Sequence, residues 1–263
     1  MKVTYVTGDS AEEFEEAITD ETALVILESP SSIVFHIQDI RKVSEIAKRH
    51  HALVFIDNTY CTPVFQNPLD LGADIVMHTL SKYIGGHSDI IGGVLVVKDP
   101  QLAKKLSYHR ELYGGIMGPM ESWLALRGLR TLDVRMRQHE KNAGQVAEFL
   151  EGHRRIKKVN YPGLKSHPQH ELIQSQQRGS CGLLSFELDG TMEQAKQFSQ
   201  RLRLFHIGVS WGGFESLVEM PYARKTAEQA EWLGGTPNII RIHCGLEGAE
   251  NLIADLEHAL SQI

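Results

Sequence analysis

The 263-residue sequence predicts an α/β protein of two units joined near residue 134, and three observations carry that prediction. Short apolar runs alternate with amphipathic helical patterns through the first half. A long helical stretch then starts at Pro119 and crosses the middle of the chain. A second set of apolar runs and helical patterns follows it. At roughly 150 residues per domain, the length suits one large domain or two modest ones.

Taken in order, Val3 to Val6 reads as a short strand, Ala11 to Ile18 as an acid-rich helix and Ala23 to Leu27 as a compact apolar strand. Ile40 to His50 reads as a helix with Ile40, Val43 and Ala47 on one face. Lys48, Arg49 and His50 close its carboxyl end, where the helix dipole favours cations. Ala52 to Ile56 follows as a buried strand, and Asp57 comes directly after it. This alternation implies parallel βαβ units, with functional groups on loops at the carboxyl ends of strands. Asp74 to Met77 is a further strand, Thr79 to Asp89 a loop, and Gly93 to Val97 a hairpin-type or edge strand. Asp99-Pro100 supplies a cap and a first-turn proline for a helix whose buried stripe is Leu102, Ala103 and Leu106. The helical stretch from Pro119, broken only by Gly128, carries Leu132, Met136, Ala143, Val146, Ala147 and Leu150 on one side. Beyond it, Leu183 to Leu188, Phe205 to Val209 and Ile239 to His243 read as strands. Thr191 with Gln194 forms a capping box, and Leu252, Ile253, Leu256 and Leu260 mark a terminal helix.

Thirty-three acids against 27 bases, with 42% hydrophobic residues, describe an ordinary globular chain and argue against disorder or a nucleic-acid partner. The apolar stretch Ile90 to Val97 is far shorter than the ~20 residues of a membrane crossing and is interrupted by Gly92 and Gly93. The first residues lack a secretory signal and turn acidic at Glu12, Glu13, Glu15 and Glu16. Cys61, Cys181 and Cys244 are too scattered for a disulfide framework or a CxxC metal site. A cytoplasmic protein without a metal or membrane partner is the expectation, with Cys181 and Cys244 as buried small residues.

Two strand ends present complementary groups: Asp57, and Thr79-Leu80-Ser81-Lys82. A carboxylate can keep a heteroaromatic nitrogen protonated, and a lysine nearby can condense with an aldehyde; pyridoxal phosphate (PLP) chemistry needs such a pair. Taken singly, each residue is better explained by a turn that Asp57 starts and a solvated loop lysine at Lys82. Other patterns fail on physical grounds. Gly208-Val209-Ser210-Trp211-Gly212 fits a nucleophile elbow, but Gly212-Gly213 argues against the helix that elbow requires. The adjacent side chains of His87-Ser88-Asp89 diverge and cannot relay a proton. His167 and His170 read as a solvated loop without a third metal ligand. Neither a Walker loop nor a dinucleotide fingerprint is present.

Longer motifs are more specific. Phe55-Ile56-Asp57-Asn58-Thr59-Tyr60 and Thr79-Leu80-Ser81-Lys82-Tyr83-Ile84-Gly85-Gly86-His87-Ser88-Asp89 closely resemble the signature of the Cys/Met-metabolism family of PLP-dependent enzymes. The similarity continues through Arg127-Gly128-Leu129-Arg130-Thr131-Leu132 and Ser210-Trp211-Gly212-Gly213-Phe214-Glu215-Ser216-Leu217 to Arg241-Ile242-His243-Cys244-Gly245-Leu246-Glu247. It implies the aspartate aminotransferase fold (type I), with residues 1–133 as the cofactor-binding large domain and 134–263 as the small domain. Within the family, Glu28-Ser29-Pro30-Ser31-Ser32-Ile33, the tryptophan after Ser210, and His243 resemble the bacterial cystathionine β-lyase branch. The implied reaction is β-elimination of cystathionine to homocysteine, pyruvate and ammonia. A γ-lyase or γ-synthase of the same family is the alternative within this chemistry.

The resemblance assigns parts. Lys82 resembles the Schiff-base lysine that also moves the Cα proton. Asp57 resembles the partner of the pyridine nitrogen, favouring its protonated form. Thr79 and Ser81 resemble the phosphate-binding hydroxyls, which the family more often carries in reverse order; both side chains can donate to phosphate. Arg241 resembles the clamp on the substrate carboxylate, and Ser210 and Trp211 the loop that assists it. Family members are homo-oligomers, dimers built into tetramers. The family also carries a sizeable segment ahead of the position matching Met1. It supplies an arm reaching the neighbouring subunit's phosphate, a phosphate-binding helix start and a ring-stacking tyrosine. No part of these 263 residues corresponds to it, so the resemblance implies a large domain shortened at its amino end. It also implies weaker cofactor binding by this chain alone. Three accounts follow: part of an active lyase, a subunit completed by another polypeptide, or a non-catalytic assembly subunit. Retention of Asp57, Lys82 and Arg241 favours the first two.

Overall fold

Asp39 starts a helix because its carboxylate accepts the Lys42 amide at 3.0 Å, and the apolar positions that follow return on one side. In the computed structural model, which describes residues 2–263, this helix α2 (Ile40–Arg49) and α1 (Ala11–Ala17) cover a four-stranded sheet. Its strands are β1 (Leu24–Glu28), β2 (Leu53–Asp57), β3 (Ile75–Thr79) and β4 (Gly93–Val97), in that spatial order. The first two pairings are parallel, and β4 runs antiparallel to β3. Phe14, Ile40, Val43 and Ala47 pack on Val25, Leu27, Val54 and Ile56. Together they remove the β1–β3 part of one sheet face from water, at about 25 cal/mol per Å² of apolar area.

The strands expected to be wholly buried are buried on this face only. Leu24 and Ile26 remain 44% and 69% exposed, because no layer of described residues covers their side of the sheet. Residues 3–6 form no strand, lacking a neighbouring strand to pair with. Short α3 (Thr62–Phe65) follows β2. The segment after β3, expected as a loop, begins with a π-helical turn over Leu80–Ile84.

Asp99 caps α4 (Pro100–Tyr113) through the amides of Gln101 and Leu102. The stripe of Leu102, Ala103 and Leu106 is not buried, since α4 meets β4 and otherwise faces solvent. The central helical stretch divides into α5 (Pro119–Leu129) and α6 (Leu132–Glu151). The break falls at Arg130-Thr131 rather than at Gly128, which lies inside α5. A Cβ on Gly128 would sit 2.4 Å from the carbonyl oxygens of Ile84 and Gly85. Close approach to the turn explains this glycine, and helix breaking does not. Residue 134 lies in the first turn of α6. That helix packs Leu132 and Met136 behind the Leu80–Ile84 turn, then Ala143, Val146, Ala147 and Leu150 into a separate C-terminal core.

The C-terminal sheet contains β5 (Ile156–Asn160), β6 (Leu183–Leu188), β7 (His206–Ile207), β8 (Leu217–Glu219) and β9 (Ile239–His243). Its order is β5-β6-β9-β8-β7, antiparallel except between β7 and β8. The strand expected over Phe205 to Val209 shrinks to β7. Around the sheet lie α7 (His170–Gln176), α8 (Met192–Arg201), α9 (Ala227–Trp232) and α10 (Ala249–Leu260). Thr191 forms the capping box of α8 with Gln194. His167, expected in solvent, is buried beside the Phe35 carbonyl at 3.2 Å, and the cysteines are buried. Among the described residues no helix is long and apolar enough to cross a membrane.

The buried Asp255 of α10 ties the chain ahead of β7 into this core by accepting the amides of Arg203 (2.9 Å), Leu204 (2.8 Å) and Phe205 (3.4 Å). Asp255→Ala leaves those donors without their acceptor. It is expected to cost about 2–3 kcal/mol, read as a lower urea midpoint with near-native secondary structure at zero denaturant.

Candidate active site

Parallel register places Glu28 opposite Asp57 and Asp57 opposite Met77, so acidic groups collect at the carboxyl ends of β1 and β2. Thr59, two residues past Asp57, fixes that carboxylate. Its amide and hydroxyl both donate to Asp57 Oδ1, at 2.9 and 2.5 Å. The same hydroxyl oxygen accepts the Thr79 amide at 2.8 Å, joining the ends of β2 and β3. Asp57 Oδ2 receives no hydrogen bond among the described residues. Burial, opposed by Ser32 and reinforced by the Asp57 charge, holds the Glu28 carboxyl above its usual range.

Lys82 interrupts the π-helical turn with φ −101° and ψ −135°. Its Nζ donates to Ser210 Oγ at 2.9 Å and stands 5.1 Å from the centroid of the Trp211 ring. Burial and then the Arg241 charge lower the lysine's pKa, while Glu219 works against them. The Ser210–Gly213 loop lies directly on the lysine's backbone. At Gly212, with φ +85°, a Cβ would meet Tyr83 N at 2.8 Å and Lys82 Cα at 3.0 Å. Glycine is required there both by the left-handed backbone and by the contact.

Arg241 is 7% exposed. It donates through Nη1 to Ser32 O at 3.0 Å and through Nη2 to Val209 O at 2.8 Å, and it pairs with Glu219. The antiparallel register of β8 and β9 sets Glu219 directly opposite Arg241. Burial moves both partners toward neutrality and each charge resists it for the other. The guanidinium stays charged, because arginine is not deprotonated in proteins.

Behind Lys82 lies an aromatic box in which Tyr83 packs on His139, Trp211 and His243 at centroid distances of 5.2, 5.6 and 5.7 Å. Each histidine places Nδ1 beside a carbonyl, His139 at Cys244 O (2.9 Å) and His243 at Glu215 O (3.0 Å). A carbonyl only accepts, so both rings carry their proton on Nδ1. Both Nε2 atoms are buried without a partner. Burial drives His139 down to about 4 and His243 well below its ordinary value.

The structure thus brings Lys82, Ser210, Trp211 and Arg241 together, and joins Asp57 to the end of β3. Thr79 supplies its amide to Thr59, while its hydroxyl has a long 3.7 Å contact to Met77 Sδ. Ser81 Oγ accepts the Gly92 amide at 3.2 Å, which leaves its O–H free to donate. A free carboxylate oxygen, an amine of lowered basicity and an uncommitted hydroxyl suit PLP: one acceptor for the pyridine N–H, one nucleophile for the aldehyde, one donor for phosphate. Thr59, Gly212 and Glu219 were not foreseen. The Asp-x-Thr spacing made Thr59 readable as a turn partner. The facing of Glu219 and Arg241 depends on strand register.

Comparisons with known proteins agree with this arrangement. The family model described as Cys/Met metabolism PLP-dependent enzyme matches residues 1–261, and the chain belongs to that family. It is 41% identical to the cystathionine gamma-lyase of Dictyostelium discoideum over 266 aligned residues, covering 100% of this chain and 69% of that protein. It is 42% identical to the cystathionine beta-lyase of Coxiella burnetii over 265, covering 99% and 68%. The crystal structure of metB from Corynebacterium glutamicum superposes with a TM-score of 0.93 at 39% identity, covering 98% of this chain and 68% of that one. The fold is therefore that of type I PLP enzymes, the cofactor is PLP, and the family acts on sulfur amino acids.

Two outcomes test the site's physics. Gly212→Ala should push the loop off Lys82 and return the amine to water; its titration midpoint, followed by NMR, should rise toward the ordinary lysine value. Unfolded histidines bind protons near pH 6.5, whereas folded His139 does so only near about 4. The stability contributed by the neutral ring is therefore complete above about pH 6.5 and is lost as pH falls toward 4. Urea midpoints should decline across that window, and His139→Asn, which keeps a donor for Cys244 O, should flatten the slope.

Proposed function

We propose that this chain is a PLP-dependent carbon–sulfur lyase that cleaves cystathionine by β-elimination, giving homocysteine, pyruvate and ammonia with uptake of water. The observation that carries the reading is the Lys82 amine, held by Ser210 and reduced in basicity by burial and Arg241. Support for the β-branch comes from Glu28-Ser29-Pro30, Trp211 and His243. The reading includes a division into domains at residue 134, assembly with further copies as a dimer or tetramer, and placement in the cytoplasm.

Asp57 would hold the pyridine nitrogen's proton through Oδ2, while Thr79 and Ser81 would contact the phosphate. The bound cofactor supplies an aldehyde for the substrate's amino group and a ring that withdraws electrons from its Cα. Arg241 orients the substrate by taking its α-carboxylate in place of Glu219, one anion replacing another on the same fork. Val209 O and Ser32 O keep the guanidinium in place during that exchange, and Ser210 and Trp211 add contacts to the same carboxylate. Lys82, in its neutral form, takes the Cα proton and returns a proton once the carbon–sulfur bond has broken. Lowered basicity raises the neutral fraction at physiological pH.

A γ-lyase is the second reading, favoured by the 41% identity to the Dictyostelium gamma-lyase across the whole chain. Purified protein given PLP and cystathionine separates the two: β-cleavage yields pyruvate and γ-cleavage 2-oxobutyrate. Pyruvate is the expected product. Lys82→Ala should reduce its formation by about a thousandfold or more and abolish the visible absorbance of the cofactor–lysine adduct. Absence of both keto acids and of that absorbance would instead favour a non-catalytic assembly subunit.

A further inference from the structure

The turn carrying Lys82 is closed by Gly85 N to Leu80 O (2.9 Å) and Gly86 N to Lys82 O (2.8 Å). The carbonyls of Tyr83 and Ile84 leave the turn and end on a single side chain. Arg135 of α6, 7% exposed, donates through Nη1 to Tyr83 O at 2.6 Å and through Nη2 to Ile84 O at 3.4 Å and Gly128 O at 2.7 Å. Its Nε donates to Thr131 Oγ1 at 3.1 Å. One guanidinium therefore ties together the lysine turn, the last turn of α5 and the start of α6.

No carboxylate pairs with Arg135 among the described residues. A buried cation without an anion is costly. Here the carbonyl oxygens, one of them at the negative end of α5, offset that cost. The packing is tight: a Cβ on Gly86 would lie 2.1 Å from Arg135 Nη1, and one on Gly128 would lie 2.4 Å from Ile84 O. A planar fork with five N–H donors reaches carbonyls on both elements at once, whereas a lysine would present one compact ammonium with three.

We propose that Arg135 is a positioning residue, which fixes the residues after Lys82 against α5 and so aims the Lys82 amine at Ser210 and Trp211. The proposal rests on the reading of Lys82 as the reactive amine.

The test uses the full chain carrying Arg135→Lys and, should that variant not fold, Arg135→Gln. Without cofactor, amide exchange at Gly85 and Gly86 and the NMR titration of Lys82 are measured beside the urea midpoint. With PLP and cystathionine, kcat and KM are measured separately. Expected are about tenfold faster exchange at those two amides and a Lys82 titration moved up toward the ordinary value. Expected too are a kcat lowered about ten- to a hundredfold and a KM within about twofold of the parent. A variant that loses stability, yet keeps the parent's Lys82 titration and the parent's kcat per folded molecule, overturns the proposal. Lys82→Ala separates the two readings. If that variant retains elimination activity, the reading of Lys82 fails, while the effect of Arg135 on the turn is still decided by the measurements without cofactor.

Discussion

The parallel register of β1, β2 and β3 is the constraint on which the site depends. Because Glu28 and Asp57 end their strands side by side, polar groups gather where the strands stop and no further ladder hydrogen bonds compete for them. Thr59 then uses one hydroxyl twice, as donor to Asp57 and acceptor from Thr79. That single bridge holds the spacing between the carboxylate and the lysine turn. A one-residue slip of β2 would turn Asp57 into the α1–α2 core and disconnect the two.

Buried charge is handled differently at each cation. Arg241 is matched by an anion on the neighbouring strand, and the Glu219 charge opposes its desolvation without overcoming it. Arg135 is matched by carbonyl dipoles that belong to the backbone and cannot be exchanged. Lys82 has a neutral hydroxyl and an aromatic face, and burial wins: its basicity falls. How each cation is held follows from what its partner is: backbone carbonyls for Arg135, a carboxylate for Arg241, and a hydroxyl for Lys82.

The box behind the lysine applies the same reasoning to neutral groups. Tyr83, His139 and His243 pack with tautomers dictated by carbonyl neighbours. A proton on either ring would place a charge in an apolar enclosure. Gly212 lets the Ser210 loop touch the lysine's backbone from the opposite side, so the turn is held by α5 and Arg135 on one side and by that loop on the other.

Local chemistry was legible in the chain itself. Asp99, Thr191 with Gln194, and the apolar spacing of Ile40, Val43 and Ala47 announce their elements because caps and helical stripes involve residues a few positions apart. The strand ends at Asp57 and Thr79 were readable from the apolar runs before them, whereas the part expected of Lys82 came from the resemblance of its motif to the family. Contacts made across long stretches of sequence were decided by tertiary structure: Glu219 facing Arg241, Arg135 gripping the lysine turn, and Gly128 admitting two carbonyls inside a helix that its presence had suggested it would break. The half-burial of Leu102 and the exposure of Ile26 belong with these, since an apolar pattern states which face could be buried and only the neighbouring layer determines whether it is. Sequence spacing encodes hydrogen bonds within a turn. Partners that meet through strand register and helix packing acquire their meaning when the chain has folded.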